Sequence, residues 1–290
     1  AGASYLADGD LILGMVVGQE ARAYPHRILD WHEIINESIG GKSVSIVYCP
    51  LTGTGIGWER VILGKETTFG VSGLLYNTNI IPYDRSTNSN WSQLLLKAVN
   101  GPAIGEKAKT YSLIETTWGT WKQMYPNTRV VSRNTGFNRD YGRYPYGDYR
   151  TNQNFVIFPV SRQDNRLQAK ERVLGVILED KLKVYSIELF SEQNRTIEDQ
   201  FQGKDLIVVG NKSANFIVAF ENSLNASKRS FTPVQNKLPV VMQDDLGNEY
   251  DIAGRVTSGP DQGKVLKEVP RMMSYWFSWA SFYPEIALFQ

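Results

Sequence analysis

Cysteine occurs once in the 290 residues, at Cys49, so no disulfide can form within the chain. That scarcity does not fix the compartment, because a secreted chain can lack bridges. Histidine is nearly as rare. His26 and His32 are the two present, and with one cysteine they make no cluster of ligand spacing, so no metal is expected. No apolar run reaches the roughly 18 residues needed to cross a bilayer. Charge of one sign is lacking as well: 31 Lys and Arg stand against 30 Asp and Glu. No net field recruits nucleic acid or an acidic membrane. Cofactor motifs are missing too. Phe69-Gly70-Val71-Ser72-Gly73 lacks the Gly-Lys-Ser/Thr ending of a phosphate loop, and Leu74 stands where a Gly-x-Ser-x-Gly elbow needs glycine. Neither a serine hydrolase nor a cofactor is expected on that ground.

What is present is the composition of a globular protein and a self-similarity. Ile12-Leu13-Gly14-Met15-Val16-Val17 sits beside Val173-Leu174-Gly175-Val176-Ile177-Leu178, Ala21-Arg22-Ala23-Tyr24 beside Leu182-Lys183-Val184-Tyr185, and Ile56-Gly57-Trp58-Glu59 beside Val218-Ala219-Phe220-Glu221. Trp118, Trp121, Tyr125 and Pro126 have the spacing of Trp276, Trp279, Tyr283 and Pro284. The blocks recur in order. The expected fold is mainly β with short helices (α+β), as two tandem pseudo-repeats at 1–126 and 161–290 packed together. A Tyr- and Arg-rich connection, 127–160, joins them as a contact surface or as a strap over the first repeat.

Short apolar runs at 11–17 and 172–178, each followed by a polar turn and a second extended segment, predict hairpins. The β-branched runs at 41–48 and 204–210 predict further strands. Asp30 with Glu33 reads as a capping box opening a helix that Gly40-Gly41 stops, and Ser112 with Glu115 as one opening a helix that ends before Pro126. A partner helix is expected from Pro270 to Pro284. The stripe Trp118, Trp121 and Tyr125 reads as core packing, because both repeats keep it.

Duplication supplies an internal control: shared residues mark architecture, and reactive residues in one copy mark function. The first copy alone has Asp30-Trp31-His32-Glu33, Cys49-Pro50 and Phe69–Gly73, and then Tyr83-Asp84-Arg85 and Trp91-Ser92-Gln93. Cys49 closes a predicted strand, as a reactive thiol or a small packed side chain. His32 is the base that would lower its pKa, giving Cys49 and His32 as candidate catalytic residues. Glu33, Ser72, Asp84, Arg85, Trp91 and Gln93 are candidate ligand-binding residues. Asp84-Arg85 also reads as a polar turn. His26 reads as a surface residue.

The run Ala23-Tyr24-Pro25, Trp31-His32-Glu33-Ile34, Tyr48-Cys49-Pro50-Leu51, Phe69–Gly73, Tyr83-Asp84-Arg85, Trp91-Ser92-Gln93 and Arg139-Asp140-Tyr141 resembles a bacterial and archaeal family catalogued as domain of unknown function 3179. The resemblance implies an exported protein, periplasmic, cell-surface or secreted, with a targeting segment not present in this chain. It names no activity. Many members carry a second cysteine where this chain has Thr52, so a dithiol chemistry is not expected here. Three functions follow as expectations. The first is a binding or accessory protein holding a small polar ligand or protein partner in the first repeat. The second is an enzyme using Cys49 with His32. The third is a structural subunit of a larger extracellular assembly.

Overall fold

Leu11–Val17 (β1) alternates as a pleated strand must, with Leu13 and Met15 on one face and Ile12 and Gly14 on the other. Gly18, at φ 61°, turns the chain into Glu20–Pro25 (β2). A seven-residue helix, His26–His32 (α1), follows. Glu33 ends it in the left-handed region at φ 58°. The meander Ile34–Ile39 (β3), Lys42–Cys49 (β4) and Thr54–Glu59 (β5) comes next. After several short hairpins, Ile114–Thr117 (β6) pairs back onto β1, Trp118–Met124 (α2) packs beside it, and Arg129–Val130 (β7) runs parallel to β2. The computed structural model describes residues 3–290. The chain is mainly β, with three short α-helices among the described residues.

Beyond residue 171 come Arg172–Leu178 (β8), Lys181–Ser186 (β9), the 3-10 turn Ile187–Leu189, Arg195–Phe201 (β10), Lys204–Asn211 (β11) and Phe216–Glu221 (β12). Arg271–Tyr275 (β13), Trp276–Phe282 (α3) and Ile286–Leu288 (β14) close the chain. One sheet runs β6-β1-β2-β7 and another β13-β8-β9-β14, each with a parallel last strand. Leu11 lies opposite Thr117 in the first, and Arg172 opposite Tyr275 in the second. In β4–β5 Val44 faces Glu59, and in β11–β12 Leu206 faces Glu221. Residues at the same place in these registers are matched positions. Gly14 matches Gly175, Cys49 matches Asn211, and Glu115 matches Met273.

The expected hairpins and the strands near 41–48 and 204–210 form; the helices differ. Residues 34–39 are β3 and not the interior of a helix, because their backbone pairs fully with β4. Ser112 and Glu115 cap nothing. Glu115 lies in β6, and α2 begins after Thr117, whose hydroxyl accepts from the Thr120 N–H at 3.2 Å. Pro270 opens no helix, since its carbonyl receives the Ile177 N–H and residues 271–275 are strand β13.

The pleat decides what each strand packs against. Leu13 and Met15 pack with Val44, Ile46 and Tyr48, from the same end of the chain. Ile12, on the opposite face, packs with Trp118, Trp121, Ile207, Val209, Phe216 and Val218. Val173, Trp276 and Trp279 pack in turn with Val47, Ile56 and Trp58. Each of the two sheets bearing a tryptophan helix therefore closes on strands from the other end of the chain. Thr116 Oγ1 donates to the Ala214 carbonyl at 2.6 Å, and its matched residue, Ser274, donates to the Thr52 carbonyl at 3.1 Å.

Residues 127–160 lie against the N-terminal half, whereas 161–171 bond the C-terminal end, Ser161 Oγ donating to the Ser281 carbonyl and the Asp164 carbonyl accepting from Trp276 Nε1. The Tyr144 hydroxyl donates to the Pro50 carbonyl at 3.1 Å and the Tyr149 hydroxyl to the Leu51 carbonyl at 2.9 Å. Lys170 Nζ gathers the carbonyls of Tyr149, Asn152 and Phe155. A long segment without regular structure is thereby held by side chains that satisfy its backbone.

Candidate functional site

Cys49 is the last residue of β4 and is fully buried. Its thiol points to the Thr78 carbonyl at 3.7 Å, and burial pushes its pKa up. His32, the last residue of α1, bonds through Nε2 to the Tyr141 hydroxyl at 2.6 Å and packs on Phe137. Burial, with Arg139 nearby, holds its imidazole below the usual range. Among the described residues no hydrogen bond joins His32 to Cys49. The expected nucleophile–base pair is not assembled, because the end of α1 turns the ring toward the connection while β4 carries the thiol into the core.

Asp84, Trp91 and Gln93 are fully or almost fully buried, and they brace the fold. Asp84 accepts from the Thr87 N–H at 2.7 Å, the Thr87 hydroxyl at 2.6 Å, the Ser86 hydroxyl and Trp91 Nε1 at 3.0 Å. Burial alone would raise its pKa, but these donors outweigh it and hold the carboxyl below its ordinary value. Asp244, in the corresponding four-stranded sheet, accepts from Asn248 and from the Tyr250 hydroxyl in the same manner. The Asp84 arrangement is thus not confined to one end of the chain. Gln93 Nε2 ties the Val47 and Thr54 carbonyls at 3.0 Å each. Arg85 faces solvent, with Nη1 on Thr68 and the Phe69 carbonyl.

Glu33 and Ser72 do meet. They line a pocket of about 230 Å³ with Ile34, Leu51, Leu74, Leu75, Ile81, Tyr146 and Phe158 among its walls. The pocket forms where the α1–β3 junction meets the hairpin loop of residues 71–82 and the connection. Ser72 is spent on the loop, donating to the Ile81 carbonyl and accepting from the Leu74 N–H at 3.0 Å. Glu33 is the one carboxyl in the lining. Its backbone carbonyl receives the Tyr48 N–H at 2.7 Å, yet its side chain makes no hydrogen bond among the described residues. Burial raises its pKa to about 7. A non-glycine residue at φ 58° adds local strain at the same place. The place of Glu33 in the second register is taken by Arg195.

The sequence reading missed a second group. His26, expected at the surface, is 3% exposed; β2 and α1 turn it inward beneath Tyr48, whose hydroxyl lies 3.2 Å from Nδ1. Its Nε2 lies 3.5 Å from Glu115 Oε2, and neither atom has a hydrogen-bond partner. Glu115 pairs with Arg172, Arg150 pairs with Asp30, and Arg150 reaches the Tyr48 hydroxyl at 3.5 Å. Burial, with Arg150 and Arg172 close by, keeps the His26 imidazole neutral, well below its ordinary pKa. The signal was available in the sequence. The matched positions of His26, Tyr48, Glu115 and Arg172 are Ile187, Gly210, Met273 and Leu11, none of them ionisable. Among the described residues no three His, Cys, Asp or Glu side chains are grouped to hold a metal ion. Among the same residues no helix is long and apolar enough to cross a membrane.

A family profile described as Protein of unknown function (DUF3179) matches residues 1–286. No curated protein matches the chain, and no solved structure matches it.

Proposed function

The chain belongs to the DUF3179 family of proteins of unknown function, and we propose that it is a binding protein whose N-terminal half holds a small apolar molecule bearing a basic nitrogen. One observation carries the reading: the Glu33 carboxyl stands unpartnered in a pocket with mostly apolar walls. A carboxyl desolvated without compensation gains most from a ligand cation, which restores its charged form by a charge-assisted hydrogen bond. The apolar walls then cover the rest of the ligand, as in small-molecule sites generally. The site is less polar than the sequence suggested, since Ser72 is occupied and Asp84, Arg85 and Gln93 lie outside the lining.

Benzylamine, benzyl alcohol and benzoate separate charge from shape. Benzylamine is expected to bind most tightly in calorimetry, with Glu33→Gln losing about tenfold or more and benzyl alcohol unaffected. Equal binding of the amine and the alcohol refutes the assignment.

We further infer that the chain arose by duplication of one β-rich unit, at about 1–126 and 161–290. What supports this is the agreement of sheet orders and registers, and the reciprocal bonds of Thr116 and Ser274. Two close packings add to it: a Cβ on Gly14 would lie 2.1 Å from the Trp121 ring, and one on Gly175 would lie 2.4 Å from the Trp279 ring. The exported location, periplasmic or cell-surface, stays part of this proposal on the family resemblance.

A further inference from the structure

A second cleft, of about 260 Å³, opens between α1 and the connection; His26, Arg27, Asp30, Arg143, Tyr144 and Arg150 line it. Its charges do not cancel. Arg27 is paired with Asp10 at 2.8 Å, and Arg150 with Asp30. Arg143 faces solvent, and its guanidinium has no ion pair or hydrogen bond among the described residues. Arg150 lies over the Tyr144 ring at 4.0 Å and uses only Nη2, on Asp30 and Tyr48. Its Nε and Nη1 hydrogens have no protein acceptor, although the side chain is 31% exposed at the cleft.

A brace between the connection and α1 explains the Arg150–Asp30 pair. It does not explain the unused guanidinium positions beside a second, unpaired arginine. Arginines with open donors in a part-buried cleft are the usual means of holding a carboxylate or phosphate. The buried polar residues behind the cleft fix Arg150 in place, through Tyr48, His26, Glu115 and Arg172. These residues have no ionisable matched positions, so the polar chain exists only where this cleft exists. We propose that the cleft is a binding site for a small oxyanion, contacted by Arg150 and Arg143.

The test uses the full chain with inorganic phosphate and acetate as probes and chloride at equal ionic strength as control, read by calorimetry and thermal shift. Phosphate, acetate or both are expected to bind above the chloride background, and the stronger one tells a tetrahedral from a planar anion. Arg143→Ala should weaken binding by about 3- to 10-fold and Arg143→Glu should abolish it. Arg150→Lys, which keeps the charge and loses the planar donors, should weaken it by about 10-fold. If Arg150→Lys fails to fold, the exposed Arg143 variants decide alone. Binding no better than chloride, or binding unchanged in Arg143→Glu, overturns the assignment.

Discussion

Glu33→Gln should stabilise the protein at pH 8 and leave it almost unchanged at pH 4.5. The native carboxyl has a pKa of about 7 because burial penalises its charge, whereas in the unfolded chain it titrates near 4.3. Between those values the native state holds a proton that the unfolded state has released. Stability contributed by Glu33 is therefore present at low pH, falls as pH rises from about 4.5 to about 7, and stays at its lowest above that. Full burial would make the shift worth about 3.5–4 kcal/mol. Solvent reaching the carboxyl through the pocket mouth reduces this to about 1–2 kcal/mol. For a chain of this size the difference corresponds to roughly 1.5–3.5 °C in Tm. The measurement is the Tm of the variant minus that of the parent from pH 4.5 to 8.5, so that all other titrating groups cancel. An offset that does not change across that range refutes the burial of an unpartnered carboxyl, and the ligand argument with it.

Other variants probe the scaffold. Gly14→Ala and Gly175→Ala should each cost about 1–3 kcal/mol in urea unfolding, because the new methyl meets the Trp121 or Trp279 ring; a neutral result at either site refutes the close packing. Asp84→Ala strands Trp91 Nε1 and the donors of residues 86 and 87 and should cost about 2–4 kcal/mol, with Asp244→Ala falling in the same range. The Cys49 thiol, buried and shifted upward, should react with a thiol reagent at least about 100-fold more slowly in native than in denatured protein. Fast native labelling that His32→Ala slows would restore the nucleophile–base reading.

Local pattern was legible where local physics decides. Short apolar runs placed β1 and β8, and the recurrence of Trp118 and Trp121 as Trp276 and Trp279 marked the helices as core. The starts of α1 and α2 were not legible, because the apparent capping boxes use residues with tertiary duties. Asp30 pairs with Arg150 from 120 residues away, and Glu115 pairs with Arg172. Neither carboxylate is available to cap. Asp84 was read as peculiar to the first half because its counterpart hides behind a shorter turn: the spacing from Asp84 to Ser89 becomes that from Asp244 to Asn248, and Tyr250 replaces Trp91 as donor. Gly101 and Gly259 reveal the match, since a Cβ on each would lie 2.7 Å from the Cα of Ser89 or Asn248. His26 was misjudged for the opposite reason. Nothing local buries it; the hairpin, β4 and the connection close over it together.

The exchange of packing faces leads to one more expectation: neither half should fold alone. Trp118 and Trp121 share one core with Ile207, Val209, Phe216 and Val218, and Trp276 and Trp279 share another with Val47, Ile56 and Trp58. Each tryptophan buries about 200 Å², so a pair that loses half of its cover forfeits about 5 kcal/mol, comparable with the roughly 5–15 kcal/mol that holds a whole domain together. Residues 1–160 made separately should therefore show little native tertiary signal in near-UV circular dichroism, and likewise residues 161–290. Mixing the two should restore it, because the missing faces are complementary. A fragment 1–160 that is cooperatively folded by itself refutes the exchanged core. Under the exchange, the C-terminal half is part of the site's construction: Arg172 holds Glu115 and the Gly53 carbonyl, and Ser274 holds Thr52 and Thr54 behind the Glu33 pocket. The C-terminal half is needed, on this argument, because the half that carries the Glu33 pocket cannot keep its shape without it.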